Sequence, residues 1–232
     1  MDTVVVTGAS RGIGEAVARL FAEEGVHVVA CAREAADVEA VVHDLESGGG
    51  SATGMRADVR DEFDLERLME TASRAGDTLG IDCVVAAAVV SHGAPGESPL
   101  ADTSYSQFDD VLRTNARGVY ATVREALPHL NDGARVLVTT DRAARDAAPG
   151  FGAYAVSKAA AEAICRQFAV ELDRPIGVLD LGRVSTERFD DDNGCDPSEV
   201  APMVWWAATE AAPEVLDGSV VDLDTWRAAQ EE

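Results

Sequence analysis

The sequence predicts an α/β fold, a single doubly wound parallel sheet with helices on both faces. The chain has 232 residues, of which 47% are hydrophobic, so it can bury one sizeable core. Short β-branched runs alternate with longer amphipathic stretches along the whole length. Strands that alternate with helices in this way form a parallel sheet that is covered on both faces. We therefore expect one domain over residues 1–232.

Continuous apolar runs predict buried strands, and apolar residues at helical spacing predict the helices between them. The predicted strands cover residues 3–8, 27–31, 83–90, 135–140, 176–181 and 219–224. The predicted helices cover residues 12–25, 35–48, 61–76, 106–130 and 152–172, and a late helix carries Trp205 and Trp206. Residues 47–51, SGGGS, are predicted to form a flexible turn.

The chain is strongly acidic, with 42 Asp and Glu against 19 Lys and Arg and a formal net charge of −23. A surface of this sign repels nucleic acids and anionic membranes, so neither is expected as a partner. Lys158 is the only lysine beside 18 arginines. High negative charge with almost no lysine predicts a protein adapted to concentrated salt, as in a halophile, because salt screens most of the self-repulsion.

The sequence predicts neither a membrane span nor a metal site. The first residues, MDTVVVTGAS, lack the pattern of a signal peptide, and no segment approaches the roughly 20 apolar residues that cross a bilayer. Cys31, Cys83, Cys165 and Cys195 show no CxxC spacing, and the four histidines form no spaced pair. We therefore expect a cytoplasmic protein.

A glycine-rich turn follows the first predicted strand and opens the first helix. Its sequence is TGASRGIG, residues 7–14, in which Gly8, Gly12 and Gly14 are spaced G-x-x-x-G-x-G. Glycines allow a tight turn and a close approach to a pyrophosphate, while the helix N-terminus supplies free N–H groups. In this strand–turn–helix context the turn predicts dinucleotide binding.

Further motifs follow in a fixed order: ADV at 57–59, Asn115 in RTNARGVY, YAVSK at 154–158 and GRVST at 182–186. With the glycine-rich turn, these motifs give a chain that resembles the classical short-chain dehydrogenase/reductase family over essentially its whole length. The resemblance implies a Rossmann fold and hydride exchange between a nicotinamide and a small carbonyl or alcohol substrate. It also implies a homodimer or homotetramer formed through the helices that include 106–130 and 152–173.

The cofactor-binding residues follow from the resemblance together with the charges near the second strand. They are Gly8, Ser10, Arg11, Gly12, Ile13, Gly14, Arg33, Asp58, Val59, Ala87, Tyr154, Lys158, Val184 and Thr186. An NAD site of this type places an acid at the end of the second strand, where this chain has Ala32 followed by Arg33. Because Arg33 and Arg11 can pair with a 2′-phosphate, NADP(H) is favoured over NAD(H).

Tyr154 and Lys158 are the predicted catalytic pair. Residues four apart lie on one face of a helix, so both side chains can enter the same cleft. The ammonium of Lys158 would bring the tyrosine pKa down towards the working pH, where the phenol can serve as general acid or base. The resemblance further implies that Asn115 helps to hold a proton relay to Lys158, and that Thr186 touches the nicotinamide carboxamide.

One departure from the family lies thirteen residues before Tyr154, where the family usually has a serine and this chain has Asp141. An ionised carboxylate could not donate to the substrate oxygen and would raise the Tyr154 pKa. Three alternatives remain open. Thr140 could turn into the site, Asp141 could stay protonated in a dry pocket, or Asp141 could pair with Arg142 or Arg145.

A second departure lies after the fourth strand. The family commonly has NNAG there, and this chain has AAAV, residues 86–89. The change removes amide hydrogen bonds and places Val89 near the expected nicotinamide ribose. A non-catalytic NADP(H)-binding sensor is therefore the alternative function. The segment around residues 187–197 is short and acidic, and it is expected to form a short substrate lid that disfavours anionic substrates.

Overall fold

Seven parallel strands form one sheet in the order β3-β2-β1-β4-β5-β6-β7. The computed structural model describes residues 1–94, 96–187 and 193–231. The strands are β1 Thr3–Thr7, β2 His27–Ala32, β3 Ala52–Arg56, β4 Ile81–Ala86, β5 Leu130–Thr140, β6 Ile176–Asp180 and β7 Asp217–Asp222. The strand order reverses between β1 and β4, which is the doubly wound topology that the sequence predicts.

Helices cover both faces of the sheet. They are α1 Gly12–Glu23, α2 Ala35–Ser47, α3 Glu62–Ala72, α4 Tyr105–Leu112, α5 Gly118–Ala126, α6 Gly152–Glu171, α7 Pro197–Thr209 and α8 Leu223–Ala229. Successive residues of a strand point to opposite faces, so Val4 packs in the core beneath α1, α2 and α7, and Val5 packs in the core beneath α3, α5 and α6. Burial on both faces explains why the strands read as unbroken apolar runs.

The edge strand β3 was not predicted from the sequence. Its residues, ATGMR, contain no run of branched apolar side chains, and none of the five is buried. Because β3 pairs only with β2 within the described part of the sheet, its position depends on backbone register, from Val28–Ala52 to Ala32–Arg56. Hydrophobic pattern alone therefore carries little signal for this strand.

Two other boundaries differ from the sequence prediction. Strand β4 was expected over residues 83–90, but it ends at Ala86. Val90 is held outside the sheet by hydrogen bonds to the side chain of Asn115. The helix expected over 106–130 is divided into α4 and α5 by a π-helical turn at Arg113–Arg117. Such wide turns are frequent at functional sites, and this one carries Asn115.

None of the helices that the structure describes is both long and apolar enough to cross a membrane. Within the same residues, no group of three or more histidine, cysteine, aspartate or glutamate side chains is arranged to hold a metal ion. Cys31, Cys83 and Cys165 are buried free thiols, and burial raises the pKa of each to about 12. These three thiols are therefore packing residues that stay protonated at neutral pH.

Candidate active site

A cavity of about 830 Å³ opens at the carboxyl ends of the central strands, next to the reversal between β1 and β4. This is where ligands bind in doubly wound sheets. Its lining includes most of the residues expected from the sequence: Gly8, Ser10, Arg11, Gly12, Ile13, Gly14, Arg33, Val59, Ala87, Thr140, Asp141, Tyr154, Lys158, Val184 and Thr186. One cavity thus joins the glycine-rich turn to the Tyr154–Lys158 pair.

The glycine-rich turn is shaped by contacts that only glycine allows. Gly8 has a φ of +69°, and a Cβ there would lie 2.7 Å from the Cα of Ala88. A Cβ on Gly14 would collide with the carbonyl oxygen of Gly8. Helix α1 begins at Gly12, and the side chain of Arg11 does not cap it, so first-turn N–H groups stay available to an anion. This cradle fits the pyrophosphate of a dinucleotide.

The cavity lining beside β2 provides positive charge. Arg33 is exposed directly after β2, and Arg11 lies in the glycine-rich turn with its guanidinium 4.0 Å from the carboxylate of Glu187. That ion pair is exposed on both sides and therefore weak. Guanidinium groups pair with phosphate, whereas a carboxylate at the end of this strand would hold a free ribose hydroxyl.

Asp58, expected among the cofactor-binding residues, lies outside the lining of the cavity. Among the residues that the structure describes, Val59 lines the cavity and Asp58 does not. The carboxylate of Asp58 instead accepts from the guanidinium of Arg60 at 2.7 Å. Burial acts to raise the Asp58 pKa, but the hydrogen bonds from Arg60 outweigh it and lower the pKa. Asp58 therefore supports the loop beside the cavity.

Tyr154 and Asp141 are in direct contact. The hydroxyl of Tyr154, on the first turn of α6, donates a hydrogen bond to Oδ2 of Asp141, at the end of β5. The other carboxylate oxygen, Oδ1, accepts from the backbone N–H of Ala143 at 2.7 Å. The carboxylate is therefore fixed by the backbone and directed at the Tyr154 hydroxyl.

Lys158 lies one helical turn after Tyr154 and is buried. Its Nζ donates to the carbonyl oxygen of Thr139 at 2.9 Å and lies 5.8 Å from the centre of the Tyr154 ring. Burial lowers the Lys158 pKa, and the carboxylates of Asp141 and Glu162 act in the opposite direction. The predicted i, i+4 pairing is thus present, with the lysine beneath the ring of the tyrosine.

Asn115 links three elements at the back of the cavity. Its side chain accepts from the N–H of Val90 and donates to the carbonyl of Val90, both at 2.8 Å. It also donates to the hydroxyl of Ser157 at 2.9 Å, which in turn donates to the carbonyl of Tyr154. Asn115 therefore positions α6 and the loop after β4, while its part in a proton relay to Lys158 stays a prediction.

A buried ionic network, absent from the sequence interpretation, lies behind the site. Arg145 donates to both Glu162 and Asp180, whose carboxylates are almost completely buried. Thr140 also donates to Glu162, at 2.8 Å, and the exposed Arg166 lies 3.8 Å from the same carboxylate. The helical spacing of Glu162, four residues after Lys158, was the available signal, because it places the acid on the same face of α6.

The contacts of this network disagree with two of the alternatives for Asp141, the use of Thr140 as the donor and the pairing of Asp141 with Arg142 or Arg145. The hydroxyl of Thr140 has one proton, which it donates to Glu162, so it has none to donate to a substrate oxygen. Arg145 is engaged by Glu162 and Asp180, and Arg142 pairs with Asp146 at 3.1 Å, so neither arginine neutralises Asp141. The Asp141 carboxylate is left facing the Tyr154 hydroxyl.

The chain matches a protein-family model and resembles proteins of known sequence. Residues 8–178 match the family model described as enoyl-(acyl carrier protein) reductase. The short chain dehydrogenase/reductase AacuN of Aspergillus aculeatus is 37% identical over 170 residues, which cover 72% of this chain and 62% of that protein. This chain therefore matches somewhat less than two thirds of the length of that relative.

Solved structures share the fold over almost the whole chain. An alcohol dehydrogenase from the archaeon Thermococcus sibiricus, complexed with 5-hydroxy-NADP, superimposes with a TM-score of 0.80 at 28% identity, covering 96% of both chains. A 3-oxoacyl-[acyl-carrier protein] reductase from Brucella melitensis with bound NAD gives a TM-score of 0.84 at 25% identity, covering 96% of this chain and 89% of that one.

Proposed function

This chain belongs to the short-chain dehydrogenase/reductase family, and from that membership we propose that it is an NADP(H)-dependent oxidoreductase with Tyr154 as general acid and base. The observation that carries the proposal is the single cavity that joins the glycine-rich turn to Tyr154 and Lys158. When bound there, a nicotinamide cofactor supplies or accepts the hydride of a small carbonyl or alcohol substrate. The chain itself moves the proton and holds both reactants.

Tyr154 carries the proton in this proposal. Its hydroxyl faces the cavity and is within reach of a substrate atom, as a general acid must be. Lys158 lies 5.8 Å from the centre of the Tyr154 ring, lines the same cavity and would hold a ribose hydroxyl of the cofactor. Asn115 fixes the first turn of α6 through Ser157, and so holds the tyrosine in place. These roles follow family membership together with the observed contacts.

NADP(H) is the proposed cofactor. Arg11 and Arg33 line the cavity beside the end of β2, where Ala32 replaces the acid of an NAD site. The Thermococcus sibiricus neighbour is complexed with an NADP derivative, whereas the Brucella melitensis neighbour contains NAD, so the preference depends on the residues of this chain. Two guanidinium groups favour a ribose that carries a phosphate.

Replacing Arg33 with alanine is expected to raise the Kd for NADPH about tenfold or more, because a charge-assisted hydrogen bond to the 2′-phosphate is lost. The Kd for NADH should change little. Titration of cofactor fluorescence measures both constants. Arg19→Ala is the matched control, since Arg19 is exposed on α1 and pairs with Glu15 on the same helix. An equal loss of affinity for both cofactors would refute the proposed role of Arg33.

The main test of the proposed function follows NADPH fluorescence in concentrated KCl, with NADH in parallel. Protein is added first, and a panel of ketones, aldehydes and imines follows. We expect a signal change that is specific to NADPH on binding and then a substrate-dependent loss of signal. Binding without turnover across the panel would favour the alternative of a non-catalytic sensor, which the reductases and dehydrogenases among its relatives do not favour.

We further propose an oligomeric state, a class of partner and a cellular environment for this protein. A homodimer or homotetramer is proposed through α5 and α6, whose outer faces carry the exposed side chains of Tyr120, Val156 and Val170. The net charge of −23 supports a small partner that is not anionic, and operation in a salt-rich cytoplasm. Residues 188–192 of the lid expected at 187–197 lie outside the described residues, so the lid stays a proposal. The single NADP(H)-binding domain over residues 1–232 is likewise proposed.

A further inference from the structure

A carboxylate stands beside the group that moves the proton. Asp141 lines the cavity, and its Oδ2 accepts from the hydroxyl of Tyr154, while its Oδ1 is held by the backbone of Ala143. The backbone bond keeps the carboxylate in this orientation. A substrate atom close enough to exchange a proton with Tyr154 must therefore also lie close to Asp141.

This arrangement is poorly suited to a neutral carbonyl group. A carbonyl oxygen has no proton to donate, and it gains negative charge when hydride adds to its carbon. An ionised carboxylate accepts hydrogen bonds only, so Asp141 offers that oxygen nothing and repels the developing charge. Thr140 cannot compensate, because its proton is donated to Glu162.

A protonated carbon–nitrogen double bond has the opposite properties. Its nitrogen carries a proton that a carboxylate can accept, and it is positive before the reaction and neutral afterwards. On this ground, and resting on the proposed function, we propose that the reacting group of the substrate is a protonated imine whose N–H is held by Asp141. The enzyme is then a reductase of small cyclic or acyclic imines, or an amine dehydrogenase in the reverse direction.

The reduction balances without a further reactant. A hydride from NADPH forms the new C–H bond, the π pair of the C=N bond becomes the nitrogen lone pair, and the N–H proton stays in place. The products are a neutral amine and NADP⁺. Tyr154 holds Asp141 by its hydrogen bond and can exchange a proton with the amine that leaves.

The charges beneath the site support a cationic substrate. Arg145 is shared by Glu162 and Asp180, and the exposed Arg166 lies 3.8 Å from Glu162. Burial lowers the Lys158 pKa, and the carboxylates of Asp141 and Glu162 both act against that shift as negative neighbours. A positive nitrogen on the substrate would give Asp141 a cationic partner in direct contact, where its carboxylate now accepts from the neutral hydroxyl of Tyr154.

Other charged residues also line the cavity. Glu97 and Asp146 line it, and Arg142 on the same lining is paired with Asp146 at 3.1 Å. The cations that line the cavity near the ends of β1 and β2 are Arg11 and Arg33, which the proposed function assigns to the cofactor phosphate. The remaining lining carries Arg183 as well as these carboxylates, and Asp141 is the carboxylate in contact with Tyr154.

The test compares an imine with a ketone of matched shape on the full chain. The probes are 2-methyl-1-pyrroline and cyclopentanone, each with NADPH, and kcat/KM is measured for the wild type, Asp141→Asn, Asp141→Ser and the control Asp132→Asn. Asp132 is exposed near the start of β5, at the far end of the strand from the site. We expect the wild type to prefer the imine, and Asp141→Asn to lower its kcat/KM about 10- to 100-fold. Asp141→Ser should raise kcat/KM for the ketone.

A binding measurement separates recognition from turnover. Calorimetry follows pyrrolidine, protonated at neutral pH, and cyclopentanol as they bind the protein with NADP⁺ present and absent. We expect pyrrolidinium to bind the wild type, to lose about 10-fold or more in affinity in Asp141→Asn, and to bind Asp132→Asn normally. Cyclopentanol should not distinguish Asp141→Asn from the wild type.

Either of two results would overturn the proposal. Equal or better turnover of the ketone by the wild type would show that Asp141 does not select a cation, and would leave the proposed oxidoreductase function standing. Pyrrolidinium binding that is unchanged in Asp141→Asn would remove the postulated contact. If NADPH itself fails to bind, the proposed function fails as well, which the cofactor titration alone reveals.

Discussion

Replacing Tyr154 with phenylalanine is expected to lower kcat/KM for a ketone or aldehyde by about 10²- to 10⁴-fold, the usual contribution of a general acid. The oxygen of such a substrate needs a proton as hydride arrives, and the Tyr154 hydroxyl is the donor that the cavity presents beside Asp141. Initial rates of NADPH oxidation give the loss. The Kd for NADPH should stay within about threefold, because the ring and Lys158 remain.

Tyr105→Phe is the matched control, since Tyr105 is 93% exposed at the start of α4. Removing its hydroxyl should leave the rate unchanged. A protonated imine brings its own proton, so Tyr154→Phe should lose less activity on 2-methyl-1-pyrroline than on cyclopentanone. A Tyr154→Phe variant that reduces ketones at the wild-type rate would show that the proton comes from another group.

Replacing Arg145 with methionine is expected to lower the free energy of unfolding by about 3 kcal/mol. Arg145 is the shared partner of Glu162 and Asp180, which are only 3% and 4% exposed. Removing it leaves two carboxylates buried close together with no guanidinium between them. The expected loss of unfolding free energy is near the low end of the range for broken buried ion pairs, because the arginine side chain is itself 35% exposed.

Urea unfolding at fixed salt concentration measures this change. The slope of the unfolding free energy against urea concentration should stay constant if the unfolded state is unaffected. Arg142→Met is the control, because Arg142 belongs to the same short turn but forms an exposed ion pair with Asp146. Its effect should be within about 1 kcal/mol. Equal losses from the two variants would show that the network behind the site does not stabilise the fold.

Much of the fold could be predicted from the sequence because buried parallel strands are continuous apolar runs, and six of them were recognised. The strand β3 escaped because ATGMR is half exposed at an edge, where register and not hydrophobicity decides its place. The wide turn at Arg113–Arg117 was read as ordinary helix, since a π-helical turn keeps the apolar spacing of its neighbours nearly intact.

The candidate site shows a similar division. Helical spacing placed Tyr154 and Lys158 together, and the family resemblance singled out Asp141, because its family usually has a serine at that position. The partners of Arg145 could not be predicted, since they depend on how β5, β6 and α6 approach one another. That packing brings Arg145 to Glu162 and Asp180, which lie far apart along the chain.

Because the sole lysine is buried in α6, cleavage of the chain after lysine can measure how often that helix opens. An endoproteinase that cleaves only after lysine has one place to cut in this sequence, the bond after Lys158 in the interior of α6. That bond is protected while the helix is packed, because a protease needs several residues of extended chain. The rate of this single cleavage therefore measures how often α6 opens, and a cofactor that binds over Tyr154 and Lys158 should slow it.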